Sequence, residues 1–309
     1  MSKITMLIID PQVDFHPGGS LGIPNANNDA ERTADFILDH LEDIDQIIVT
    51  LDSHHRMHVA HSMVWLDQQD NHPAPFTLIT NQQIRDGVWR PKDPTFLVHF
   101  TDMSCSSWLC TPIDVYRDQS LYFCFLFVCW GCLFVQEHAL SYTQQLEAKE
   151  RFTLCIWPDH CLMGTPGHNV VPVINSALRK WEYEHLKAVE FVQKGMNCST
   201  EMYSAIMAEV PIHDDPTTHY NSKLMQKLHA CPQLVVCGQA LSHCVNFTVR
   251  DIVDNWRGDN SKIVILKDGC SPVEGFESSA DEFLADMKEA NVTIQRTVDP
   301  IPSTRNSHK

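Results

Sequence analysis

The feature that most constrains this chain is an alternation of short apolar runs with longer segments of helical period. Residues 4–9 form a strand-length apolar run, residues 30–42 place Ala34, Ile37, Leu38 and Leu41 on one helical face, and residues 46–51 are apolar again. Such a βαβ opening implies parallel pairing, because parallel neighbours need a crossover connection. The pattern resumes as a helix over 170–183, a strand over 188–192, a helix over 200–208 and a strand over 233–237. A helix over 242–256, a strand over 263–266, a helix over 280–290 and a strand over 292–295 complete it. The expectation is an α/β fold: an open, doubly wound, Rossmann-like sheet of six parallel strands with helices on both faces.

Between Asp52 and Thr153 the alternation lapses into a stretch rich in His, Pro, Trp and Gln, with turn signals such as NHPAPF and WRPKDP. This reads as an insertion between the second and third strands, at about residues 62–152, within one domain spanning residues 1–300, and a disordered tail over 301–309. Inside the insertion, residues 121–135 read LYFCFLFVCWGCLFV, too short for an ordinary membrane span. Three readings stand: a buried helix or strand, an interfacial anchor, or a translated intron, since composition changes near Cys105 and recovers near Glu137. The Cys129 and Cys132 spacing reads as packing thiols ahead of a redox pair.

Twenty-three Lys and Arg stand against 39 Asp and Glu, a net charge of -16, and no basic cluster interrupts the balance. Nucleic-acid binding is thereby disfavoured, since phosphate contacts need clustered cations. The amino-terminal MSKITMLIIDPQVDF lacks a small-residue cleavage site and reads as a first core strand, not a signal peptide. Twelve cysteines in a chain of this size then read as reduced thiols of a cytoplasmic protein, most of them buried and inert, with no membrane partner.

In open α/β sheets, ligands bind beyond the carboxyl ends of the strands, where strand order reverses. Asp10 ends the first strand, Asp52 ends the second, Lys194 follows the third and Cys244 follows the fourth. Each alone has a bland explanation as a turn cap, an Asx turn, a solvated charge or a packed thiol. Together a carboxylate, an ammonium and a thiol are what an activated cysteine nucleophile requires. Cys244 opens a helix whose amino terminus favours a thiolate, and Lys194 is expected to lower the thiol pKa further. Asp10 then accepts the proton and delivers it to a leaving amine, while backbone N–H groups of Ala240 and Cys244 face the oxyanion. A second cluster runs Asp52-Ser-His54, then His55, His58 and His61, and later Trp157-Pro-Asp-His160. One carboxylate and several imidazoles suit a divalent ion, zinc ahead of iron or manganese, although His-rich loops are often merely polar.

The motifs LIIDPQVDF, TLDSHH, IWPDHCLMGTPG, VQKGMN with Glu201 shortly after, and VCGQALSHCVNFTVRD, in this order, resemble the nicotinamidase branch of the isochorismatase-like hydrolases. The resemblance covers roughly residues 4–87 and 139–295 and leaves the apolar segment unmatched. It implies a triad of Asp10, Lys194 and Cys244, metal ligands Asp52, His54 and His160, and Glu201 or His58 as weaker candidates beside the ion. It further implies that Phe15 and Trp157 pack against a heteroaromatic ring, and that the Gln239-Ala240 peptide is cis. The activity so implied is hydrolysis of nicotinamide, or a related small carboxamide, to acid and ammonia. Rival readings are an enzyme of another amide, ureido or carbamoyl compound, a catalytically silent scaffold, and a metal-hydroxide hydrolase in which Cys244 only packs. Members of this family commonly form dimers or larger symmetric oligomers, so the resemblance leaves a homo-oligomer open.

Overall fold

A computed structural model describes residues 3–93 and 138–301. The apolar run 121–135, with Cys129 and Cys132, and nearly all of the tail, 302–309, lie outside the described residues. The chain divides into two compact units, Met1–Arg56 with Pro158–Lys309, and Met57–Trp157.

The first unit holds six strands, β1 (Ile4–Ile9), β2 (Ile44–Asp52), β3 (Glu190–Lys194), β4 (Gln233–Gly238), β5 (Ile263–Leu266) and β6 (Thr293–Gln295). All pair in parallel, in the spatial order β6-β5-β4-β1-β2-β3. This is the doubly wound arrangement expected from the alternation. Every residue of β1, β4 and β5 is buried, which a strand achieves only when both sheet faces are covered. The outermost strand β3 alternates between part-buried and exposed residues until Lys194.

Five helices accompany the sheet: α1 (Ala26–Asp39), α2 (Pro172–His185), α3 (Ser222–Ala230), α4 (Cys244–Asn255) and α5 (Glu277–Glu289). Helix α1 packs on α2, and α4 on α5. Helix α2 begins with Pro172 at its first position, where the missing N–H costs no intrahelical bond.

Two elements differ from expectation. Residues 200–208 form no helix: the Thr200 hydroxyl donates to the Val210 carbonyl at 2.8 Å, the Glu201 carboxylate accepts from the Met202 N–H, and the Ser204 hydroxyl accepts from the Ile206 N–H. Short polar side chains here take backbone partners that a helix would need. Met202, Tyr203, Ala205 and Ile206 are all buried, so the segment has no solvent face either. Conversely, α3 was not expected; it is nine residues long, with the Asn221 side chain capping the Leu224 N–H.

Among its described residues, the second unit carries two short antiparallel pairs, Trp65–Leu66 with Arg90–Pro91 and Leu78–Ile79 with Leu154–Cys155. A short helix, Asn81–Arg85, starts with a capping box between Thr80 and Gln83. Its Asn81 donates to the Leu140 carbonyl of helical residues 138–148.

Strand order reverses between β1 and β4. Gly238 ends β4 at φ +123°, and a Cβ there would stand 2.0 Å from the Ile9 carbonyl oxygen, so only glycine lets these strands run together to their carboxyl ends. Immediately beyond, the Gln239-Ala240 peptide is cis, as the resemblance implied. The crevice past these ends is where such a sheet binds ligands.

Candidate active site

Lys194, the last residue of β3, is the hub of this crevice, its side chain only 1% exposed. Its Nζ lies 2.9 Å from Asp10 Oδ2, 2.9 Å from Asp52 Oδ1, 3.2 Å from the Met202 carbonyl oxygen and 3.5 Å from Cys244 Sγ. Strand register explains the meeting, since Asp52 ends β2 directly beside Lys194, and Asp10 follows β1 on the other side of β2. Asp10 and Cys244 therefore come together with Lys194, as the sequence placed them on one rim.

Burial opposes charge on Lys194, but Asp10 and Asp52 overcome it and hold the ammonium well above the ordinary lysine value. The two carboxylates differ. Asp52 is pushed up by burial, yet His54 and Lys194 hold it well below the usual range, so it stays ionised. Asp10 is raised by burial, with Lys194 opposing and Asp52 adding to the rise. The same cluster thus pushes its two acids in opposite directions.

The thiol departs from expectation. Burial pushes Cys244 well above its usual value; the Lys194 ammonium opposes this, while Asp10 and Asp52 raise it further. Cys244 is the first residue of α4, whose N-cap, His243, offers no side-chain cap. The His243 and Val245 N–H groups both donate to the Ala240 carbonyl, at 3.0 and 3.1 Å. Among the described residues, no backbone hydrogen bond is formed by the Ala240 and Cys244 N–H groups.

Asp52 also faces a second cluster. Its Oδ2 lies 2.9 Å from His54 Nε2 and 3.4 Å from His160 Nε2. Asp52, His54 and His160 are buried, with ligand atoms all within 4.8 Å of one another. Each imidazole turns its other nitrogen to a backbone carbonyl: His54 Nδ1 to Gly195 O at 3.1 Å, and His160 Nδ1 to Pro158 O at 2.8 Å. Donation from Nδ1 leaves Nε2 as a lone pair, the second contact that metal-binding histidines normally have. The donor set fits a divalent metal ion. Gly195 makes the approach feasible: at φ +72°, its Cβ would sit 2.9 Å from both Asp52 Oδ1 and His54 Cε1.

Phe15 sets its ring edge-on to His160 at 5.5 Å. Glu201 is buried and raised by burial, feeling the charges of His54 and Asp52, while its carboxylate accepts the Met202 N–H. It is not one of the three residues of the metal cluster. His58 and Trp157 belong to the other unit; there His58 Nδ1 accepts from the Ala60 N–H, and Trp157 packs edge-on against Phe76.

Several contributors were not singled out from sequence. Thr50 accepts the Asp10 N–H at 3.0 Å and donates to Asp10 Oδ1 at 2.5 Å. The Met202 carbonyl completes the shell around Lys194. Gln12 lies in the quoted LIIDPQVDF motif and Gly195 directly follows Lys194, which is the signal that could have found them.

No known protein-family profile matches the chain. In sequence it is similar to a nicotinamidase of Escherichia coli (strain K12), 27% identical over 146 residues, which span 46% of this chain and 59% of that protein. In structure it is similar to an Acinetobacter baumanii nicotinamidase and pyrazinamidase, with TM-score 0.58 and 17% identity over 97% of this chain and 98% of that one. It is likewise similar to the yeast nicotinamidase Pnc1p bound to the inhibitor nicotinaldehyde, with TM-score 0.58 and 18% identity over 95% and 99% of the two chains. These structural likenesses establish a shared fold. Among the described residues, no helix is long and apolar enough to cross a membrane.

Proposed function

We propose that this chain, a relative of the nicotinamidases within the isochorismatase-like hydrolases, hydrolyses nicotinamide or a closely related small carboxamide to the acid and ammonia through a thioester on Cys244. The observation that carries this reading is the buried Lys194 ammonium, 2.9 Å from the Asp10 carboxylate and 3.5 Å from the Cys244 sulfur. The partial sequence match to a nicotinamidase supports the choice of acyl group.

Asp10 takes the thiol proton as the sulfur attacks the carboxamide carbon and a C–S bond forms. Lys194 stabilises the transient thiolate. The resulting oxyanion lies against the Ala240 and Cys244 N–H groups. Collapse breaks the C–N bond, and the proton on Asp10 leaves with ammonia. Water then attacks the thioester, Asp10 takes one of its protons, and the sulfur recovers that proton as the acid departs. The sum is carboxamide and water to carboxylic acid and ammonia.

Asp52, His54 and His160 are the residues that would hold a divalent ion, with zinc the first choice for two imidazoles and a carboxylate, and iron or manganese after it. When bound, such an ion supplies a Lewis-acid anchor for a ring nitrogen or a water. Phe15 borders the same place through its contact with His160 and offers an apolar wall for a heteroaromatic ring. A thiol that works only while reduced suits the cytoplasm.

The test is ammonia release from a panel of nicotinamide, pyrazinamide, benzamide and ureido or carbamoyl compounds by metal-loaded protein. Fastest turnover of the pyridine carboxamide is expected. Turnover confined to the ureido compounds would replace the substrate, and ammonia release surviving complete alkylation of Cys244 would remove the nucleophile.

A further inference from the structure

Asp52 has two jobs that pull on different oxygens: Oδ1 meets Lys194, and Oδ2 meets His54 and His160. A residue in that position has to be held at the backbone as well as at the carboxylate. On one side, β2 pairs with β3 and Asp52 lies in register with Lys194. On the other side β1 has already ended, since Ile9 is its last residue, Asp10 turns at φ 44°, and the Gln12 N–H closes back on the Asp10 carbonyl at 2.8 Å. The main chain of β1 is therefore no longer available to pair with Asp52.

Gln12 fills that gap with its side chain. Its Oε1 accepts the Asp52 N–H at 2.7 Å, and its Nε2 donates to the Asp52 carbonyl at 2.7 Å and to the His168 carbonyl at 3.0 Å. A primary amide presents one carbonyl and N–H donors, the same pair of functions as a peptide unit, so it extends the ladder beside β2 where the backbone has turned away. Gln12 is fully buried, and its two bonds to Asp52 are made away from competing water, while the bond to His168 is part-buried. The third bond reaches the segment 158–168 that carries His160. His168 is joined to the residue after Asp52 as well, through its Nε2 and the Ser53 hydroxyl at 2.8 Å.

We propose that Gln12 is a positioning residue: by pairing with both main-chain groups of Asp52, and through His168 with the His160 segment, it fixes the spacing of the Asp52, His54 and His160 ligand set. The inference rests on the reading of those three residues as a metal site. It assigns no chemistry to Gln12 itself, which touches neither the thiol nor the ligand atoms.

The discriminating substitution is Gln12→Glu, which keeps the shape and the acceptor for the Asp52 N–H but turns an oxygen toward the Asp52 and His168 carbonyls. Gln12→Met, of similar length with neither function, is the second variant. Affinity for Zn²⁺ is measured by chelator competition, and Co²⁺-loaded protein is read by its visible absorption, each at a temperature where circular dichroism shows the variant folded. Both variants are expected to bind metal about 10- to 100-fold more weakly than the unsubstituted chain, the usual effect of losing a partner that orients a ligand. The Co²⁺ bands should shift. Lower melting temperatures with unchanged Zn²⁺ affinity and unchanged Co²⁺ bands would overturn the inference and leave Gln12 as a core residue only. If neither variant folds, hydrogen exchange of the unsubstituted apo-protein decides: the Asp52 N–H must be among the slowest amides, and fast exchange there would overturn it. An unsubstituted chain that binds neither Zn²⁺ nor Co²⁺ would fail the metal reading itself, and the positioning role with it.

Discussion

The two halves of the site are built in opposite ways. Asp10, Lys194 and Cys244 stand at or next to the ends of β1, β3 and β4, and meet through their own side-chain atoms around one ammonium. His54 and His160 stand in irregular segments and are oriented from behind, by the carbonyls of Gly195 and Pro158. Asp52 belongs to both, as the last residue of β2 and as the carboxylate of the metal cluster. The difference teaches that sheet geometry brings most of the first cluster together, with Thr50 and the Met202 carbonyl completing it, whereas a ligand set on loops needs the backbone around it to be held. Substitutions should accordingly separate the two halves.

The sharpest separation comes from Cys244→Ala. Its expected outcome is loss of ammonia release by on the order of 10⁴-fold or more, with metal affinity and melting temperature nearly unchanged. Measurable turnover near the unsubstituted rate would show that the sulfur is not the nucleophile. Lys194→Met is expected to be as severe for activity and also to cost stability, about 3–5 kcal/mol, because Asp10 and Asp52 would face each other in a buried site without their cation. Urea denaturation of the two variants side by side reads that distinction. Equal stabilities would mean that water or a proton replaces the ammonium.

On the other half, His160→Ala removes a ligand and leaves the hub alone. It is expected to lower Zn²⁺ affinity by two or more orders of magnitude and activity with it, while alkylation of Cys244 by iodoacetamide keeps its unsubstituted rate. A parallel loss of thiol reactivity would show that the halves are not separable. The smaller effect of Thr50→Val tests the hub from within. Thr50 donates to Asp10 and is one of the influences that lower its pKa, so deleting the hydroxyl raises the Asp10 pKa further. A base must be deprotonated to act, so the acid limb of the kcat/KM profile moves to higher pH, and the rate falls more at acid pH than at neutral pH. A profile that keeps its acid limb would place the proton elsewhere than on Asp10.

The same contrast explains what could be read from sequence. The central strands announce themselves because each carries a short, largely apolar run, and the positions at and after the strand ends pick out Asp10, Asp52, Lys194 and Cys244 before any relative is known. The segment 200–208 misled because its buried apolar residues mimic a helical stripe while its hydroxyls claim the backbone. Helix α3 escaped because nine residues give too few periods to register, although Asn221 and the Leu224, Met225 and Leu228 stripe are there. Gln12 and Gly195 could be located by their place in or beside the motifs, but their roles could not be read: one acts as a substitute peptide and the other through the absence of a Cβ, and neither role leaves a chemical signature in one dimension.

The smallest effect lies at the start of the nucleophile's own helix. His243 packs between Phe276, at 4.7 Å, and Tyr203, at 5.2 Å, with its Nδ1 2.8 Å from the Ser242 hydroxyl. Burial lowers its pKa from 6.5 to about 3. The unfolded chain therefore binds this proton more readily than the folded one, and stability, fully present above pH 6.5, drains away as pH falls toward 3. At pH 5 the loss from this one group is roughly 2 kcal/mol, 1.5 pH units below the unfolded value. The measurement is urea unfolding of chelator-treated protein at pH 7.5 and pH 5.0, so that metal release does not contribute. His243→Phe keeps an aromatic side chain but cannot take the proton, so it should lose less stability than the unsubstituted chain over that range, by about the same 2 kcal/mol. Equal losses in both proteins would mean that the ring finds water or a carboxylate when it protonates.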